Sequence, residues 1–229
     1  MNKSILCALF GALPLLAAAA PGDALQATVQ VESRWITADG VEKTTRFSER
    51  LVRSESHVWT ERIKPTGTPK AEADEHQHAG EAHLHPSDLA GAAKLIGRDK
   101  QGAVSLSFIR TDLKTRVDMS PRDYDAVGFD GKWESAWSLV DPALIKRLAL
   151  STRASSEAGA RWYERRGEGE YLRVLWSDSL KLALRIESGR DDGSRASRTV
   201  VKLDPAAAPA QPWAKLAGYT RKDYTDLLD

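Results

Sequence analysis

The chain has 229 residues, with 33 lysines and arginines against 32 acids and a single cysteine, Cys7. Its basic residues are spread along the chain rather than gathered in a stripe, which argues against a nucleic-acid partner. Cys7 sits near the start of an apolar leader, so the chain beyond that leader has no disulfides, thiolate catalysis or Cys-based zinc sites.

Met1-Asn2-Lys3 is a short positive start, followed by the apolar run from Ile5 to Ala20. Sixteen residues fall short of the roughly 20 that span a bilayer as a helix. The run ends in small residues, the pattern of a secretory signal peptide. The sequence therefore predicts a signal over residues 1–19 and an exported, periplasmic chain over 20–229, without a membrane span in its mature form. That remainder is long enough for one β-rich domain built on its own core.

Past the leader the pattern has period two. In "LQATVQVESRW", Leu25, Ala27, Val29, Val31 and Trp35 share one face of a strand, and Gln26 to Arg34 the other. Asp39-Gly40 is a favoured hairpin dipeptide. Strands "VEKTTRFSERLV" and "SHVWTERI" follow, and Pro65, Gly67 and Pro69 then break the sheet. A histidine-rich loop occupies 65–87. Beyond it, Ser87 is placed to cap a short helix in which Leu89, Ala92, Ala93 and Ile96 share a face. "AVSLSFIR" and "RVDM" read as a hairpin. "SPRD" from Ser120 and "DPALIKRL" from Asp141 both read as helix starts, with Pro at the first helical position. Trp133 and Trp137 lie between them at i and i+4.

The second half returns to sheet. "ARWYERR", "EYLRVLWS", "LKLALRIES" and "SRTVVKL" are joined by short polar turns, the rhythm of an antiparallel meander. Alternation puts Leu172, Val174 and Trp176 on one face, and Leu182, Leu184 and Ile186 on one face of the next strand. "PAAAPAQP" reads as a linker and "WAKLAGYTRKDYTDLL" as a closing stretch with a short helix. The total is about seven or eight antiparallel strands with a few short helices.

The run "EYLRVLWSDSLKLALRIES", a strand ending in Trp-x-Asp, a tight turn and Leu-x-Leu-Arg-Ile-Glu, resembles the central hairpin of LolA-like proteins. "SRTVVKLDP" and the opening meander are similar to that superfamily in rhythm. The resemblance implies a curved antiparallel sheet, a half-open barrel with helices against its concave face. It also implies a periplasmic lipoprotein carrier, or an RseB-type regulator that senses lipid and binds a partner protein. Arg46 and Arg50 are both candidates for a cavity arginine under that resemblance.

Seven tryptophans fall mostly on the apolar faces. Aromatics of this kind build ordinary cores, and they also line concavities for apolar ligands. Trp35, Trp59, Trp162 and Trp176 are the candidate ligand-binding residues, the ligand being apolar (a lipid or acyl chain) or a protein partner. Four of the five histidines, His76, His78, His83 and His85, form two His-x-His pairs. In an extended segment residues two apart point the same way, so each pair can offer two imidazoles to Zn, Cu or Ni. The same segment also reads as a solvated loop or a pH-responsive one. No organic cofactor motif, G-x-S-x-G elbow, H-E-x-x-H or P-loop is present, so the chain reads as a non-enzymatic binding protein, with a periplasmic metal-binding protein as the alternative.

Overall fold

A computed structural model describes residues 24–64, 86–204 and 210–228. Twelve strands among them form a single open sheet. The first meander comprises β1 (Leu25–Ile36), β2 (Glu42–Arg53), β3 (His57–Arg62), β4 (Ala93–Arg98), β5 (Val104–Arg110) and β6 (Thr115–Met119). The second comprises β7 (Ala149–Leu150), β8 (Ala160–Gly167), β9 (Glu170–Ser177), β10 (Leu182–Arg190) and β11 (Arg195–Leu203). The two halves join where β1 pairs antiparallel with β11, from Ala27 opposite Leu203 to Trp35 opposite Arg195. At the far edge β12 (Thr220–Asp223) runs parallel to β6, the exception to an otherwise antiparallel ladder. Between the meanders lie a 3-10 helix, Pro121–Val127, and two short helices, α1 (Trp133–Ser138) and α2 (Pro142–Ile145).

The sheet is curved, and α1 shows why. Six residues of helix extend only about 9 Å, yet α1 packs on both β4 and β10. Those strands are five places apart in the sheet, about 24 Å if it were flat. The sheet must curl around the helix. Its concave face carries the main core, in which Ala27, Val29, Leu51, Val58, Leu106 and Trp162 meet Tyr124, Trp133 and Trp137. Two smaller clusters lie elsewhere. Val52, Trp59, Leu95 and Ile109 are covered by Trp213, Leu216 and Tyr219, whereas Val174, Trp176 and Ala183 are covered by Ile145 and Leu148.

Local chemistry follows the expected signals in several places. Gly40 takes φ 82° in the β1–β2 turn, a conformation that L side chains avoid. Asp141 caps α2 by accepting from the Ala143 N–H at 2.8 Å, with Pro142 at the first helical position. Trp133 and Trp137 do share α1 and the main core.

Three expectations are corrected. The helix expected from Ser87 is a 3-10 turn, Pro86–Gly91, followed by strand β4. Ala93 and Leu95 face one cluster and Ile96 the other, so both faces are buried, and a short apolar run of that kind does not declare its period. The closing helix is instead two 3-10 turns, Pro212–Leu216 and Tyr224–Leu227, flanking β12. Lastly, Ile186 does not join Leu182 and Leu184. A bulge between Ala183 and Arg185 inserts Leu184 as an extra residue, shifting the alternation so that Ile186 packs with Val174 in the smaller cluster.

Candidate functional site

The four tryptophans singled out by pattern are not brought together. Trp162 is 3% exposed in the main core, Trp59 is 2% exposed under Trp213, and Trp176 is 4% exposed against α2. Trp35, 38% exposed, stands at the far end of β1. Three of the four therefore serve three different packing clusters, and the concave face is occupied by the protein's own helices. His76, His78, His83 and His85, and the leader over 1–19, lie outside the described residues. Among the described residues no group of three or more His, Cys, Asp or Glu side chains is placed to hold a metal, and no helix is long and apolar enough to cross a membrane. His57 stacks on Trp213 at 5.0 Å and its pKa is lowered, by burial first and by nearby Arg116 second, as befits a packing residue.

The concavity with the composition of a binding site is a groove of about 920 Å³ across β1, β2, β10 and β11, beside the end of β3. Its apolar lining is Val31, Phe47, Ile63 and Val200. Its basic lining is Arg46, Arg62, Lys64, Arg185, Arg198 and Lys202, against one acid, Glu32. Register explains this assembly. Ser48, Gln30, Val200 and Arg185 are direct cross-strand neighbours, as are Arg46, Glu32, Arg198 and Glu187, and opposed residues point to the same side. Val31 and Phe47 oppose one another in the intervening row, so the groove draws on both alternating sets.

Three of the cations are engaged, Arg185 lying 5.9 Å from the centre of the Trp162 ring. Arg46 meets Glu32 at 2.7 Å, and Arg62 lies 3.5 Å above the Phe47 ring with Glu49 at 3.8 Å. Lys64, Arg185, Arg198 and Lys202 form no ion pair among the described residues, and the Arg185 Nε is buried without a hydrogen-bond partner. Three uncommitted cations, Lys64, Arg198 and Lys202, beside an apolar floor concentrate anions. A second concavity of about 720 Å³ lies at the β8–β11 turns, and apart from Tyr171 and Leu172 its lining is charged, serine or glycine. Of the two candidate cavity arginines, Arg46 lines the first groove and Arg50 lines a smaller concavity of about 300 Å³ beside Glu61. Arg50 is paired with Glu61 at 2.5 Å on the strands' surface.

A different arginine, unmarked by any motif, is the buried one. Arg53 is 2% exposed. Its guanidinium donates to the Trp137 carbonyl at 2.7 Å and to the Leu180 carbonyl, and lies 3.6 Å over the Trp137 ring. Burial pulls its pKa down to about 10. Trp137 returns a bond from its indole N–H to the Ser54 carbonyl at 2.8 Å, so β2 and α1 are tied twice.

No family model matches the chain, and no curated protein matches it. Solved structures similar to it include PNGF-II, at TM-score 0.39 and 12% identity over 89% of this chain. The chain spans about a third of that structure, 33% of its length. A provisionally named outer membrane lipoprotein-sorting protein domain from Vibrio parahaemolyticus matches at TM-score 0.30 and 11% identity, over 80% of this chain and 86% of that one. The LolA superfamily protein NE2245 from Nitrosomonas europaea matches at TM-score 0.34 and 12% identity, over 84% and 92%. The last of these carries the name of the superfamily that the Glu170–Ser188 run resembles.

Proposed function

We propose that the protein is an exported, non-enzymatic binding protein that holds an anionic amphiphile, an apolar chain with a negatively charged head, in the groove between β2 and β10. One observation carries this reading: the groove sets four apolar side chains among six cations and a single carboxylate. Its volume suits one small ligand, since such sites commonly enclose about 300–1,000 Å³. The apolar floor supplies burial at about 25 cal/mol per Å², and Arg198, Lys202 and Lys64 supply charge for the head.

Titration of the mature chain with lysophosphatidylglycerol and with lysophosphatidylcholine, which share a tail and differ in net charge, tests it. The anionic lipid is expected to bind at least about tenfold more tightly, a difference of about 1.4 kcal/mol, and the preference is expected to vanish in Arg198→Glu/Lys202→Glu. Equal binding of the two lipids, or a preference untouched by charge reversal, rejects the reading. The metal alternative rests on the His-x-His pairs of the sequence. Calorimetry with zinc, copper and nickel separates it: sub-micromolar affinity lost when His76, His78, His83 and His85 become Ala would put metal handling first.

A further inference from the structure

Register gathers four hydrogen-bonding side chains at one end of the groove. On β11, Arg198 and Lys202 stand two residues to either side of Val200, on its face of the strand. Arg185 of β10 lies directly opposite Val200, and Gln30 of β1 lies directly opposite it on the other flank. Opposed residues point to the same side, so three cations and one amide surround Val200, and all of them line the groove. Arg198 and Lys202 are about 13 Å apart along the strand, a gap that two long basic side chains narrow over a small anion. Among the described residues no carbonyl or carboxylate accepts from the side chains of Arg185, Arg198, Lys202 or Gln30. The Trp162 ring, 5.9 Å from the Arg185 guanidinium, takes no N–H, and the buried Nε is left without an acceptor. The carboxylates across from Arg198 are held elsewhere, Glu32 by Arg46 at 2.7 Å and Glu187 by Arg153 at 2.8 Å.

We propose that this cluster holds a phosphomonoester, so that the amphiphile taken up by the groove is a single-chain lipid ending in phosphate. The assignment rests on the amphiphile reading of the same groove and names its head. A carboxylate or a phosphodiester carries one charge and two terminal oxygens, which a single arginine fork satisfies. A phosphomonoester carries about −1.5 to −2 charges and three strong acceptor oxygens, which matches three cations whose donors are unmet. Arg185 and Arg198 each present a fork, with Lys202 as a point charge and the Gln30 amide as a neutral donor. The opposite side of the groove lacks this capacity: Arg46 is spent on Glu32, and Arg62 lies against Phe47 and Glu49. That side carries Phe47 and Ile63 instead. The head therefore sits over β11, and the chain runs across β1 toward β2 and the end of β3, about 10 Å away.

The test is calorimetric titration of the protein at about pH 8, above the second phosphate pKa of about 6. The probes are lysophosphatidic acid, lysophosphatidylglycerol and a fatty acid of equal chain length, with glycerol 3-phosphate, which keeps the head and lacks the tail. One further charge-assisted hydrogen bond is worth about tenfold in affinity or more. Lysophosphatidic acid is therefore expected to bind at least about tenfold more tightly than either monoanion. Glycerol 3-phosphate is expected to bind at least about a hundredfold more weakly than lysophosphatidic acid, having no tail to bury. Arg185→Met is expected to cut the affinity ratio of lysophosphatidic acid to lysophosphatidylglycerol to below about threefold. Loss of packing alone would weaken both lipids alike and leave that ratio intact. Lys202→Met, at an exposed position, gives the same readout should Arg185→Met not fold. Lysophosphatidic acid no tighter than the two monoanions, or a ratio that stays above about threefold in the folded variants, overturns the proposal. So does glycerol 3-phosphate binding as tightly as the lipid, since the ligand is then a soluble phosphate ester. If lysophosphatidylglycerol still exceeds lysophosphatidylcholine, the anionic-amphiphile reading survives that failure; if it does not, both fall.

Discussion

Arg53→Met is the substitution on which the interior's physics can be weighed. The guanidinium makes two hydrogen bonds to carbonyls, each worth about 2 kcal/mol from a charged donor. Its position 3.6 Å over the Trp137 ring adds about 1 kcal/mol. Against these stands desolvation without a carboxylate partner. A pKa drawn from 12.5 down to about 10 corresponds to roughly 3 kcal/mol against the folded state. Methionine keeps much of the stem's packing and discards both sides of this balance, leaving a net loss of about 2 kcal/mol. In a domain of this size that lowers Tm by about 4–8 °C. Urea denaturation of the protein measures it, and hydrogen exchange in α1 locates it, because Trp137 carries one of the acceptors. Arg53→Ala adds a cavity and is expected to lose about 4 kcal/mol. A methionine variant as stable as the parent, with unchanged exchange in α1, would show that desolvation outweighs the bonds and that the arginine does not fasten the helix.

Trp59→Ala should cost about 3–5 kcal/mol, since Trp59 is 2% exposed beneath Trp213, whereas Trp35→Ala, at an exposed strand end, should stay within about 0.5 kcal/mol. The two chemical denaturation midpoints check this, and equal losses would contradict it. His57 titrates below its usual value in the fold because it is buried. The unfolded chain therefore takes up that proton first, so stability is full above about pH 6.5 and declines as pH falls toward the folded value. Stability measured from pH 7.5 to 5 should show this fall, and His57→Gln should flatten it. Glu187, with its side chain 16% exposed and Arg153 at 2.8 Å and Arg173 at 3.7 Å, should lose about 1–2 kcal/mol as Gln. Glu32→Gln, at a more open pair, should lose under about 0.5 kcal/mol.

Most strands were legible because each needs only its own alternation. Leu25, Ala27, Val29 and Val31 do share the core face, and Leu172, Val174 and Trp176 do pack together. The curved antiparallel sheet with helices on its concave side was likewise expected from the hairpin resemblance. The features that escaped reading depend on partners distant in sequence. The bulge that displaces Ile186 is a property of the β9–β10 pair. Tryptophan spacing gave no sign that Trp59 and Trp176 face coverings supplied by Trp213 and α2. The groove draws on residues from Gln30 to Lys202, and no local window contains it. Nor does "SERLVRSES" reveal that Arg53, rather than Arg46 or Arg50, is the buried arginine. Its neighbours are Trp137 and Leu180.

Register also unites the groove with the rest of the sheet. Arg46, Glu32, Arg198, Glu187, Arg173 and Glu164 lie opposite one another on six successive strands, β2, β1, β11, β10, β9 and β8. The signs alternate at every step, and opposite charges directly across a ladder favour this register over a one-residue slip, which would break every pair. Along the β8–β10 end the acids and bases engage one another, Arg173 meeting both Glu164 and Glu187. At the junction of the two meanders the pattern changes. Glu32 is drawn to Arg46 at 2.7 Å, Glu187 to Arg153 and Arg173, and Arg198 between them is left without an ion pair among the described residues. Lys202, four residues along the same strand, is in the same position. Arg198 thus faces the groove uncommitted because the carboxylates on either side of it bond outward, Glu32 to Arg46 of β2 and Glu187 to Arg153 and to Arg173 of β9, while Lys202 lies opposite Thr28 and meets no carboxylate across the ladder.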